Sequence, residues 1–270
     1  MEALLESLNV MDHVMAFTLG LPRILMVMIV LPFMASSILT GTLKFAVGFS
    51  IYLLLHPLLL DTLPLDGQGT FFFLHLFALL LKETILGLLI GLLVGILFWA
   101  IQSAGFFIDN QRGLTQAMGA DPLSGEQTSP LGSFFFQGIV YIFFSGGAFL
   151  VFLQFLYTSY LVYPVTELLP LSGFARSDLS LLIAEQVVYL MELMLLFSAP
   201  IVVACLLTDI SLGLVNRFAS QLNVYILAMP IKSGITSFLI IFYFGLLVTS
   251  FMPIINDGLA HVLHKLGLVL

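Results

Sequence analysis

From Thr84 to Ile108 the sequence carries no charged residue. As a helix rising ~1.5 Å per residue, this run reaches about 37 Å, more than the ~30 Å hydrocarbon core of a bilayer. A run of that length fits a lipid bilayer or the interior of a protein assembly. In lipid its backbone polar groups must be satisfied within the segment, which selects a helix. Gly87, Gly91 and Gly95 recur at four-residue spacing and share one helix face, a small-residue stripe along which another helix can approach closely. Phe98 and Trp99 follow, and then the character changes abruptly to Asp109, Asn110, Gln111 and Arg112, and further on to Asp121-Pro122, Ser124-Gly125 and Glu126-Gln127. Ser129-Pro130 reads as the N-cap and first position of the next helix. A buried helix therefore delivers a glycine-rich polar stretch into the middle of an apolar chain.

Composition extends that reading to the whole molecule. Of the 270 residues, 60% are hydrophobic and 9% charged, against roughly a quarter charged in ordinary soluble domains. The fold class is an all-α integral membrane protein, read as one membrane-embedded domain over residues 1–270. A net charge of −7 spread without a basic patch excludes nucleic acid as a partner and leaves membrane lipid. Cys205 is the single cysteine, so no intrachain disulfide and no cysteine-based metal cage can form. Glu2, Glu6 and Asp12 precede any basic residue, unlike the positive start of a cleaved signal peptide, so the first helix is expected to be retained.

Six apolar regions follow along the chain, at about 13–43, 45–60, 71–108, 131–163, 181–208 and 235–256. Pro22 and Pro32 are expected to bend or end the first. His56-Pro57 closes the second, which is short for a span. The third and fourth would be roughly 57 Å and 50 Å long as single helices, too long for simple spans, with Gly146-Gly147 a break in the fourth. Long tilted or broken helices and helical hairpins in a protein cluster suit those lengths. Short amphipathic helices are expected at 1–12 and 257–270. A polar block, Asp209 to Gly234, separates the fifth and sixth regions. Lys and Arg are nearly balanced between alternate loops, so the positive-inside rule assigns no orientation.

The chemistry is sparse. His13, His56 and His75 stand alone, and His261 with His264 form an H-x-x-H spacing that no carboxylate supports, which reads as a solvated helix face. No metalloprotease, nucleophile-elbow or phosphate-loop motif occurs, so the chain is not expected to be an enzyme and no cofactor or metal is implied. Arg23, Glu185 and Glu192 are charges inside apolar regions, where charge either pairs in an interface or serves transport. A secondary transporter of a small solute would place such groups in matched repeats, and no internal repeat is evident. Close packing against another subunit is the expected role of Gly87, Gly91 and Gly95. Asp109 and Arg112, three residues apart, are placed to pair and hold the start of the polar stretch. Arg217 is expected to pair, with Asp209 the nearest carboxylate.

Two stretches carry a resemblance. Phe98-Trp99, then Ile108-Asp109-Asn110-Gln111-Arg112-Gly113 and Asp121-Pro122, resemble the signature of the SctT (YscT/SpaR/EscT) family of type III secretion export-apparatus proteins, relatives of flagellar FliR. Gly213-Leu214, Asn216-Arg217-Phe218-Ala219, Gln221-Leu222-Asn223 and Lys232-Ser233-Gly234 are similar to that family's other shared stretch, with Ser220 where relatives often carry proline. The Ile-Asp-Asn-Gln-Arg-Gly string points to the injectisome branch. The resemblance implies a non-enzymatic subunit of a helical export gate at the bacterial inner membrane. SctR-like and SctS-like subunits (FliP and FliQ relatives) would assemble with it, SctU-like and SctV-like components would stand nearby, and unfolded secreted proteins would pass through. It further implies that Asn110, Gln111, Arg112, Gly113, Met118, Asp121 and Pro122 lie in or beside a gate or plug loop. Asn216, Arg217, Phe218, Gln221, Asn223 and Lys232 would form a structural polar block.

Overall fold

In the computed structural model, residues 10–34, 40–62, 70–114, 129–168, 178–219, 221 and 223–265 are described. The regular elements among them are helical: α1 (Val10–Val30), a 3-10 turn (Pro32–Met34), α2 (Gly41–Thr62), α3 (Thr70–Gln111), α4 (Pro130–Ser145), α5 (Ala148–Val162), α6 (Asp178–Phe218) and α7 (Val224–Lys265). Five of them are long and apolar enough to cross a membrane, or up to six when α4 and α5 count as one broken span. Residues 1–9, and with them most of the first expected amphipathic helix, lie outside the described residues.

Helix ends follow local chemistry. Leu31, held by its N–H to Val27 at 3.0 Å, precedes Pro32, whose ring disfavours helix in the residue before it. Pro22 and Pro57 lie inside α1 and α2 rather than at their ends, as helices in apolar surroundings tolerate. Between α4 and α5 the Gly146 N–H closes onto Ile142 at 2.7 Å, and Gly147 takes φ +81°, open to glycine at no steric cost. The polar block Asp209 to Gly234 is not a connector. Its first half is the last turns of α6, and its second half opens α7, which runs on to Lys265 through the region expected to be a separate tail helix. Polarity alone does not end a helix. The stretch from Asp209 to Phe218 holds no proline, and α6 runs on to Phe218 before α7 opens at Val224.

The chain forms two compact units. The first contains α1, α2, α3 as far as Gly95 and most of α5. Its core includes Ala16, Leu19 and Ile24 of α1, Tyr52 and Leu55 of α2, Leu79 of α3, and Phe155 and Leu156 of α5. Gly87 and Gly91 face α1 of the same chain: a Cβ on Gly91 would lie 2.8 Å from the Val30 side chain and 3.2 Å from the Val27 backbone, and one on Gly87 would press on the Arg23 carbonyl. Gly95 is buried at the boundary of this unit. The surface that Gly87 and Gly91 meet is therefore intramolecular. Gly91→Leu should lower the stability of the chain purified alone in detergent by roughly 1–3 kcal/mol, the usual range for overpacking. An unchanged melting profile would show that α1 does not hold that contact.

The second unit contains α3 from Ile96, α4, α6 from Ala184 and α7 to Gly258. Phe98 meets Phe143 edge-on at 5.2 Å between ring centres, Phe134 meets Phe244 at 5.0 Å, and Phe197 meets Phe251 at 4.9 Å. Gly105 and Gly132 let α3 and α4 touch backbone to backbone, since a Cβ on Gly105 would fall 2.6 Å from the Gly132 Cα. An 18-residue apolar stretch of α3 is 72% buried within the chain, against 28% for such a stretch in α6 and 18% in α7. α3 is the enclosed element. α6 and α7 turn most of their apolar surface outward, where only lipid or other subunits can cover it.

Candidate functional site

The C-terminal end of α3 gathers the two polar stretches singled out in the sequence. Ile108 and Asp109 are fully buried, and α3 closes through Arg112 N–H to Ile108 at 3.1 Å and Gly113 N–H to Asn110 at 3.0 Å. Gly113 takes φ +82°, the left-handed conformation in which glycine commonly stops a helix, and its Cα side faces Met229 of α7.

Asp109 lies where the end of α3 meets the start of α4. Its Oδ2 accepts the Ser129 hydroxyl at 2.7 Å and the Leu131 N–H at 3.0 Å, while Oδ1 contacts the Arg112 guanidinium at 2.6 Å. Ser129 in turn accepts the Gly132 N–H at 2.9 Å, so it caps α4 as its position before Pro130 requires. A carboxylate at a helix N-terminus is favoured by the helix dipole and by the unpaired N–H groups there. Here that carboxylate comes from the preceding helix rather than from the local sequence. The Oδ1 contact is an ion pair without good hydrogen-bond alignment, and Arg112 Nε has no acceptor among the described residues.

A second tie reaches the same helix end from α7. Lys232 Nζ donates to the Gln111 carbonyl at 2.9 Å and pairs with Asp209 of α6 at 3.0 Å. An ammonium on a C-terminal carbonyl is the mirror of the Asp109 arrangement. Lys232 and Asp209 are 12% and 43% exposed, so this pair is the looser of the two.

Of the polar block, Lys232 alone among the six residues named above is tied to the α3 end. Asn216, Arg217, Phe218, Gln221 and Asn223 are exposed around the α6–α7 turn. The expected Arg217–Asp209 pair is not formed: Asp209 takes Lys232 instead. Eight helical residues separate Asp209 from Arg217, a rise of ~12 Å, too far for one ion pair. Of the expected loop residues, Asn110 and Gln111 end α3, Arg112 and Gly113 leave it, and Met118, Asp121 and Pro122 lie outside the described residues.

The first unit holds a charge centre of which the sequence reading found one third. Arg23, fully buried, forms a fork with Glu83 at 2.7 Å and 2.9 Å. It also donates to the Ser159 and Tyr163 carbonyls and lies 4.0 Å from the Tyr160 ring centre. Lys82 shares Glu83 at 2.7 Å and donates to the Pro164 and Glu167 carbonyls. The available signal was Lys82-Glu83, two adjacent charges inside the apolar region 71–108. Glu185 and Glu192 are exposed on α6.

Among the described residues no three or more metal-ligating side chains converge, and the Ser129 hydroxyl beside Asp109 is engaged in capping α4. The chemistry of both clusters is that of fastening helix ends.

The family described as bacterial export proteins, family 1, matches residues 14–258. The chain is 37% identical over 230 residues to the Yop proteins translocation protein T of Yersinia pestis, covering 85% of each chain. It is 29% identical over 232 residues to the surface presentation of antigens protein SpaR of Salmonella typhimurium, covering 84% of this chain and 82% of the relative. It is 30% identical over 167 residues to the flagellar biosynthetic protein FliR of Bacillus subtilis, covering 62% of this chain and 64% of the relative.

Proposed function

The chain belongs to the bacterial export proteins of family 1, and from that membership we infer that it is a multi-pass inner-membrane subunit of a type III secretion export gate. The relatives are named for translocation of Yop proteins, presentation of surface antigens and flagellar biosynthesis, which fits the passage of proteins and not of a small solute. With other subunits of the export apparatus it would form the entry channel for unfolded secreted proteins. Subunits like SctR and SctS are the expected immediate partners, and components like SctU and SctV the expected neighbours. The outward apolar faces of α6 and α7 supply surface for such packing.

The observation that carries the mechanism is the end of α3. A buried, glycine-striped helix stops at a left-handed glycine, and its last turn is tied to α4 by Asp109 and to α6 and α7 by Lys232. The polar stretch beyond Gly113 therefore starts from a rigid support. In the gate reading that stretch, with Met118, Asp121 and Pro122, closes the channel at rest and yields to substrate. Amide hydrogen bonds of about 0.5–1.5 kcal/mol net each suit a closure that must release.

Deleting Leu114 to Gly119 tests this. The expected result is a complex of normal yield in a membrane that admits small ions or solutes, measured as conductance in cells expressing the whole apparatus. A sealed, intact complex carrying the deletion would reduce the stretch to a connector, and loss of the complex would make it part of the fold.

A further inference from the structure

We propose that Asp109 is the positioning residue of this site: one buried carboxylate that fixes both the departure and the return of the polar stretch. The proposal rests on the gate reading for its purpose, and on geometry for its content.

Three observations converge. Asp109 is fully buried, and among the described residues its polar side-chain contacts lie at the two boundaries of the stretch: Arg112 at the exit, and the Ser129 hydroxyl and Leu131 N–H at the re-entry. Among the described residues the return point supplies no anion of its own. Ser129 spends its acceptor on the Gly132 N–H and its donor on Asp109, so the Leu131 N–H depends on the α3 carboxylate. The helix crossing is built to allow this. Gly105, one turn before Asp109, meets Gly132, one residue beyond Leu131, with no side chain between the backbones. A bulkier residue at either glycine would carry the Leu131 N–H away from Asp109. Helix packing alone would need no charge here, whereas a device that holds two chain ends at one point does.

Arg112 provides a reporter. It is the last basic residue before Arg176, it is 11% exposed, and its guanidinium is engaged by Asp109. Trypsin acting on the complex purified in detergent should cut slowly after Arg112 in the wild type. In Asp109→Ala, at unchanged complex yield, a fragment beginning at Gly113 should appear at least tenfold faster relative to cleavage after the exposed Arg217. Asp109→Asn, which keeps an acceptor but loses the charge, should fall between. Ser129→Ala leaves Asp109 in place and removes the hydroxyl that both bridges to it and caps α4, and should also accelerate the Gly113 cut.

Should Asp109→Ala fail to assemble, Ser129→Ala still decides the matter, because acceleration there supports the tie. Unchanged cleavage in Ser129→Ala, or loss of the complex in both variants, overturns it. Conductance measured on the same complexes separates the two readings: faster cleavage without a leak keeps the tie and removes the gate, and a leak in the Leu114–Gly119 deletion with wild-type cleavage in Ser129→Ala keeps the gate and removes the tie.

Discussion

Replacing Glu83 with alanine should prevent the first unit from holding α1 against α3 and α5, at a cost of about 3–5 kcal/mol, the range for removing one partner of a buried ion pair. The reason is arithmetic of charge. Arg23, Lys82 and Glu83 are 0%, 4% and 0% exposed, so two cations share one anion out of reach of water. Without Glu83, the guanidinium keeps only the Ser159 and Tyr163 groups and the Tyr160 ring, and the ammonium only the Pro164 and Glu167 carbonyls. Glu83→Gln preserves shape and an acceptor, and should lose less. The triple change Arg23→Met, Lys82→Met, Glu83→Met removes every charge and should recover much of the loss. Recovery stops short of complete because carbonyls around the end of α5 would be left without donors, each at roughly 1–3 kcal/mol. Thermal unfolding of the four proteins in one detergent gives the ranking. Equal melting of Glu83→Ala and wild type would mean that water reaches the cluster.

That centre also shows where sequence reading stops. Long apolar helices and the break at Gly146-Gly147 were legible because they rest on local properties: hydrophobic length, and a backbone conformation suited to glycine. Arg23 stood out as a charge in an apolar run, but Glu83 is 60 residues away and nothing local links them. The stripe Gly87, Gly91, Gly95 was visible as a spacing. What it packs against was not, and for Gly87 and Gly91 the answer is α1 of the same chain. Gly105 has no glycine partner at helical spacing and passed unnoticed, although it lets the α3 and α4 backbones touch at Gly132. The Asp109–Arg112 pair was legible at three residues' separation; the reach to Ser129 and Leu131, across 20 and 22 residues, was not. Asp209 was assigned to Arg217 by nearness in sequence, and helix rise put Lys232 there instead. In each case the missing information is the crossing of two helices, which a single sequence encodes only through their joint packing.

Gly105→Ala should be the most damaging single methyl in the second unit. The added carbon would lie 2.6 Å from Gly132 Cα, Gly132 N and Leu131 C. All three are backbone atoms, so no rotamer change relieves the clash and the helices must separate. Overpacking of this kind costs roughly 1–3 kcal/mol and occasionally more. Separation also draws the Leu131 N–H from Asp109, leaving a buried charge short of one donor, so the loss should sit at or above the top of that range. The control is the same substitution where a helix leaves room. Gly213 in α6 and Gly245 in α7 have nothing within 4 Å of an added Cβ, and alanine is the better helix former by up to about 1 kcal/mol. Measured on the chain alone in detergent, Gly213→Ala and Gly245→Ala should melt at or above wild type while Gly105→Ala melts well below. A uniform effect across the three would mean that helix propensity governs stability here. The opposite signs would place the determinant at the α3–α4 crossing, the contact that sets Asp109 against both ends of the polar stretch.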